Sequence, residues 1–198
     1  MKKYFLVLVA ALVLPLMLFA KENEATRYEG LAVGAYFSNS YAAGDWSKYV
    51  VAGIGGGVSA EYTLPFEISL FDIGISLRAE YDALLPAKDS VVESAFDIMI
   101  LPGAFLRFPI FLDGVTAAFV PEVSYGLVMH NLKGKDNSDI DGFYTDQLIS
   151  IATGLRLSVP KLEALEVEVS PMCLLVFEKS GVLLQPGFRA GALWHLSK

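Results

Sequence analysis

Residues Asp72 to Asp82 read Asp-Ile-Gly-Ile-Ser-Leu-Arg-Ala-Glu-Tyr-Asp. Every odd position (Ile73, Ile75, Leu77, Ala79, Tyr81) is apolar, and every even one is charged, hydroxylic or glycine. Successive side chains of a β-strand point to opposite faces, so this stretch has one oily face and one wet face. Wound as a helix, it would scatter Arg78 and Glu80 among the apolar residues. The fold turns on which face is inside. A strand of a soluble domain buries its oily face in a core. In a set of long strands behind an export signal, the same face can look outward at lipid. The rest of the chain favours the second arrangement.

The chain has 198 residues, enough for one domain or a small barrel. Its mean hydropathy, +0.49, is high. Beyond residue 20, however, no run of about 18 uncharged apolar residues could form a helical span. High hydropathy without helical spans is the expectation for a barrel whose apolar residues alternate with polar ones. The net charge of −7 gives a nucleic-acid role no support. The single cysteine, Cys173, excludes an internal disulfide and any multi-cysteine metal site. Residues 1–20 read as a cleaved signal peptide: Lys2 and Lys3, then an apolar run from Tyr4 to Phe19 and Ala20 before Lys21-Glu22-Asn23-Glu24. Residues 21–27 are a polar leader, and residues 28–198 are assigned to the barrel. Loss of Lys2 and Lys3 takes the net charge from −7 to −9.

Eight alternating segments follow. Leu31, Val33, Ala35 and Phe37 mark the first, and Val50, Ala52, Ile54, Val58, Ala60 and Tyr62 the second; the opening stretch is the third. Phe96 to Phe108, Val115 to Leu127, Ile149 to Val159, Leu165 to Phe177 and Val182 to Leu196 supply the others. Links at Leu64-Pro65, Pro109 to Gly114 and Pro160-Lys161 are short. Stretches 38–48, 82–92 and 130–142 read as long polar loops, with a tight turn at 178–181. Short links at one rim and long loops at the other are the barrel arrangement, the long loops facing outside. Pro102, Pro121, Pro171 and Pro186 interrupt strands on the oily parity and are expected to mark bulges.

Arginine placement discriminates best. Arg78, Arg107, Arg156 and Arg189 fall on the polar parity of strands, together with Glu61, Asp72, Glu80, Asp97, Glu122, Glu166 and Glu168. The opposite parity carries no charge in the strand interiors. Unpaired buried charge is costly, and a guanidinium fork can satisfy several carboxylates. A closed eight-stranded barrel is just wide enough for side chains to fill. The expectation is therefore an internal ionic network built on Glu61, Arg78, Glu80, Asp97, Arg107, Glu122, Arg156, Glu168 and Arg189.

This pattern over residues 28–198 resembles the small eight-stranded outer-membrane barrels of the OmpA-domain and OmpX kind, with the OmpW kind as a cousin. Ala190, Ala192, Trp194 and Leu196 resemble the C-terminal signal read by barrel-assembly machinery. The resemblance implies an all-β, antiparallel, up-and-down transmembrane β-barrel in the bacterial outer membrane. Its implied partners are the lipid bilayer, the assembly machinery and a host or envelope ligand at loops 38–48, 82–92 and 130–142. The implied role is structural or adhesive. An OmpW-like pore for small hydrophobic solutes is the alternative, motivated by inward Met99, Leu101, Phe105, Met172 and Leu174. An envelope-lipid-modifying enzyme is the third reading.

Motifs for chemistry are thin, and no catalytic, cofactor or metal site is assigned. His195-Leu196-Ser197 resembles the His-x-Ser pair of barrel lipid-A deacylases but points inward at the periplasmic rim, where it reads as a solvated histidine. His130 lies at the outer rim beside the polar Asp136, Ser138 and Asp139. The run from Asn137 to Gly142 echoes an EF-hand loop, but Leu148 stands where a bidentate glutamate is needed. The glycines between Gly53 and Gly57 lie inside a strand with no helix after them, so they read as room for bulky inner side chains such as Phe105 rather than as a phosphate loop.

Overall fold

The computed structural model describes residues 30–65, 70–112, 115–135, 141–179 and 181–196; the signal peptide, the polar leader and residues 136–140 lie outside them. The strands are β1 (Gly30–Tyr41), β2 (Val50–Thr63), β3 (Asp72–Pro86), β4 (Val92–Leu112), β5 (Val115–Gly134), β6 (Gly142–Val159), β7 (Leu162–Glu178) and β8 (Gly181–His195). A single 3-10 turn, Gly44–Lys48, lies between β1 and β2. Each strand pairs antiparallel with the next, and β1 pairs with β8, so the sheet closes on itself. Closure leaves no edge whose backbone N–H and C=O groups would be stranded in hydrocarbon.

The parity of the opening stretch resolves as an inversion. Ile75 is 53% exposed and Phe188 39%, whereas Arg78 and Arg189 are each 2% exposed. Leu31, Val33, Phe37, Val58, Leu77, Val123, Ile151, Val169 and Leu184 share the outward face. In water this belt would forfeit roughly 1.5–3 kcal/mol for each large side chain left unburied; in a bilayer it is the contact surface. Tyr62, Tyr81, Tyr125 and Trp194 are exposed on the same side, placing amphipathic rings in the wall.

Four features differ from the reading of the sequence. First, strands run into the stretches taken for loops: β1 reaches Tyr41, β3 Pro86 and β5 Gly134. The outer connections are therefore 42–49, 87–91 and 135–141, and the inner link at 64–71 is as long as the first of them. Polar residues such as Asp82 and His130 look loop-like in sequence because they face the barrel interior. Second, Val50 points inward and Val51 outward, because a register shift between Val50 and Ala52 reverses the parity at the top of β2. Ala52, paired with the outward Leu85 and Tyr41, keeps the outward parity and is covered by them. Third, the prolines make no bulges. Pairing lapses between Ile100↔Leu127 and Gly103↔Ser124 beside Pro102, and resumes in the same register. The same happens beside Pro121, between Phe105↔Glu122 and Phe108↔Phe119, and beside Pro171, between Ala152↔Met172 and Leu155↔Val169. Pro186 lies just past Ser40↔Gly187, where the β1–β8 ladder ends. Each imino ring thus costs a short gap in one ladder. Fourth, Phe105 packs over Gly74, where a Cβ would stand 2.1 Å from the ring. Within the glycine run, Gly57 instead clears space for the Tyr36 ring.

Candidate functional site

The interior is layered along the barrel axis. Nearest the inner turns, Arg107 donates through both terminal nitrogens to the two carboxylate oxygens of Glu166, and His195 Nε2 lies 2.9 Å from Glu166 Oε2. His195 is therefore a buried, partnered residue and not the solvated rim histidine of the sequence reading; Ser197 lies outside the described residues.

Above this pair, one connected network crosses the lumen. Arg156 donates to Glu168 (Nε to Oε2, 2.6 Å) and bidentately to Glu61 (2.7 and 2.9 Å). Glu61 also accepts from Arg78 Nη2 at 3.1 Å. Arg78 grips Glu122 through Nε and Nη2, the shortest contact being 2.6 Å. Glu122 takes a further bond from Arg189 Nη2 at 3.3 Å, and others from Ser76 and Ser124. Parity positioned the members: Glu61, Arg78, Glu122, Arg156 and Arg189 are on inward positions of β2, β3, β5, β6 and β8. In a dry interior such pairs depend on the carboxylates and forks being occupied. Arg189 Nε and Glu80 Oε1 are buried without a hydrogen-bond partner among the described residues.

Tyr36 was not picked out from sequence, although its even position in β1 points it inward. Its hydroxyl donates to Glu80 Oε2 at 3.0 Å, and its ring lies under the guanidinium groups of Arg78 (5.4 Å) and Arg189 (5.7 Å). Glu80 therefore joins the network through a tyrosine. Asp82, also buried, accepts from Ser38 at 2.9 Å. A cavity of about 10 Å³ lies between Tyr36, Ser59, Arg78 and Glu168.

Toward the outside, Met99, Leu101, Val128, Leu148, Met172, Leu174 and Val176 pack on one another as an apolar layer. Phe105 stands apart, against Ala118 and Val120 and beneath Arg156. Of the residues that motivated a hydrophobic-solute pore, Met99, Leu101, Met172 and Leu174 thus pack in one cluster and Phe105 in another.

Above the apolar layer the barrel opens into a cavity of about 620 Å³ bounded by Trp46, His130, Tyr144, Asp146 and Glu178, among others. A second cavity of about 790 Å³ adjoins it through Trp46 and Glu178. His130, which lines this cavity, is directly opposed to Asp97 across β4 and β5, with its Nδ1 2.6 Å from Asp97 Oδ1. Asp97 is thus placed in this outer layer, away from the arginine network.

A closed antiparallel wall, an ionic lumen and an apolar exterior define a small eight-stranded outer-membrane β-barrel. The fold is shared with neisserial surface protein A, NspA, which is 14% identical over 85% of this chain and 98% of that one, with a TM-score of 0.57. Ail, the attachment invasion locus protein of Yersinia pestis, is 12% identical over 84% of this chain and 98% of its own (TM-score 0.46). The N-terminal barrel domain of Pseudomonas aeruginosa OprF is 20% identical over 82% and 97% respectively (TM-score 0.42). No protein-family model and no curated protein sequence matches the chain.

Proposed function

We propose that the chain is a closed, non-conducting barrel of the bacterial outer membrane, serving envelope integrity and surface attachment through the connections 42–49, 87–91 and 135–141. The observation that carries this reading is the unbroken series Glu168–Arg156–Glu61–Arg78–Glu122–Arg189, which spans the lumen beneath a packed apolar layer. An ion entering would have to displace bidentate, charge-assisted bonds in a low-dielectric space. The outward Ala190 and Trp194 of the last strand, with Leu196 just beyond it, fit delivery by the barrel-assembly machinery.

The test is single-channel recording of purified protein in a planar bilayer. The expected result is a quiet trace at voltages at which a porin conducts steadily. Large, long-lived openings would overturn the closed reading in favour of a solute pore.

A further inference from the structure

Three consecutive strands each send one metal-competent side chain to the outer cavity, His130 from β5, Asp146 from β6 and Glu178 from β7, and Asp97 of β4 stands against the histidine. His130 Nε2, Asp146 and Glu178 present ligand atoms that all lie within 4.8 Å of one another. The nearest of these to the imidazole, Asp146 Oδ2, is 3.8 Å from Nε2, too far for a hydrogen bond and about right for two ligands sharing an ion.

A second, independent observation points at a ligand. His130 is 3% exposed, and its Nε2 is buried without a hydrogen-bond partner, although it faces two carboxylates across polar space. The other ring nitrogen explains why. A carboxylate can only accept, so the 2.6 Å contact places a proton on Nδ1, donated to Asp97; in the neutral imidazole the lone pair is then on Nε2, the nitrogen turned toward Asp146 and Glu178. Leaving a buried acceptor unmet costs stability. A carboxylate behind the imidazole, with the lone pair in front, is the arrangement by which proteins orient a histidine toward a metal ion. Trp46 packs edge-on at 6.4 Å and restricts the ring further.

Charge supports the same conclusion. The arginines Arg78, Arg107, Arg156 and Arg189 are all spent on Glu61, Glu122, Glu166 and Glu168 below the apolar layer. Above it, among the described residues, Asp97 and Asp146 pair with His130 and with no arginine, and Lys179 stands at the exposed edge of the cavity.

We propose that the outer mouth is a binding site for a divalent transition-metal cation of the zinc class. His130 Nε2, Asp146 and Glu178 ligate it, and Asp97 is the positioning residue behind the histidine. One imidazole with two carboxylates suits zinc-like ions and gives no advantage to calcium or magnesium, which take oxygen ligands alone. Three protein ligands leave a position open toward the cavity, so the ion could exchange with the medium outside. The site does not depend on the lumen being closed to solutes.

The test uses untagged, folded protein in detergent, stripped with a chelator and titrated with zinc chloride by calorimetry, with folding judged by heat-modifiable gel migration. One zinc per chain is expected, not displaced by millimolar calcium. His130→Ala should abolish saturable binding, and Asp97→Asn should weaken it by about 10- to 100-fold. The chain has only two histidines, so ¹⁵N-histidine labelling of the wild type gives a readout that needs no variant. Zinc should move the Nε2 resonance of His130 and leave that of His195 in place. Absence of saturable binding, equal competition by calcium, binding retained in folded His130→Ala protein, or an unmoved His130 resonance would each overturn the proposal.

Discussion

Glu61 is the hinge of the lumen. It accepts from Arg156 through both oxygens and from Arg78 through one, so its removal leaves Arg156 to Glu168 and Arg78 to Glu122, with three buried N–H donors unmet. Breaking one partner out of a buried ion network costs about 3–5 kcal/mol. Glu61→Ala should therefore lower the urea midpoint of the folded barrel substantially. Glu93→Ala, which loses an exposed pair with Lys133, should shift it by no more than about 1 kcal/mol. The sequence disclosed that these charges share a face but not which arginine meets which glutamate. Alternation determines direction within one strand, whereas Glu61 and Arg156 meet across the lumen from β2 and β6, a distance governed by tilt and stagger. Tyr36 was overlooked for a related reason: a phenol on the wet parity is unremarkable until two guanidinium groups are seen resting on its ring.

Each strand carries its own instruction for which side meets hydrocarbon, and the cost of violating it depends on depth. Leu77 lies near the middle of β3 and Leu85 at its outer end, both outward. Leu77→Arg should destabilise the barrel by about 2–4 kcal/mol and Leu85→Arg by about 0–1 kcal/mol, read as the shift in reversible unfolding in lipid vesicles. Period-two alternation was legible almost throughout, because eight stretches share it and a helix would violate it. The strand ends were not. Above the membrane the inward side chains are polar as well, so Asp82 and His130 read as loop in sequence and stand in strand in the molecule. The bulge at Val50 and Ala52 was invisible because both parities are apolar there, and an extra residue leaves no mark.

Considered whole, the molecule is held by a ring of backbone ladders outside and by side chains that tie opposite walls within. A cylinder cross-linked in both ways should stay shut in cold detergent. Unboiled protein should migrate on a gel distinctly from boiled protein, and a single band unaffected by heating would count against the closed wall. The internal ties also constrain how the chain can enter lipid. The two partners of Glu61 come from different hairpins, Arg156 lying 95 residues away, and Arg189 finds Glu122 across 67. Arg78 and Arg156 each find one carboxylate within a hairpin, but Arg107 meets Glu166 across 59 residues and Arg189 meets Glu122 across 67. Hairpins threaded singly would carry these two cations into oil without the carboxylates they finally bond. The economical route is to curl first, neutralise across the bore as β1 meets β8, and slide into the membrane as a finished tube.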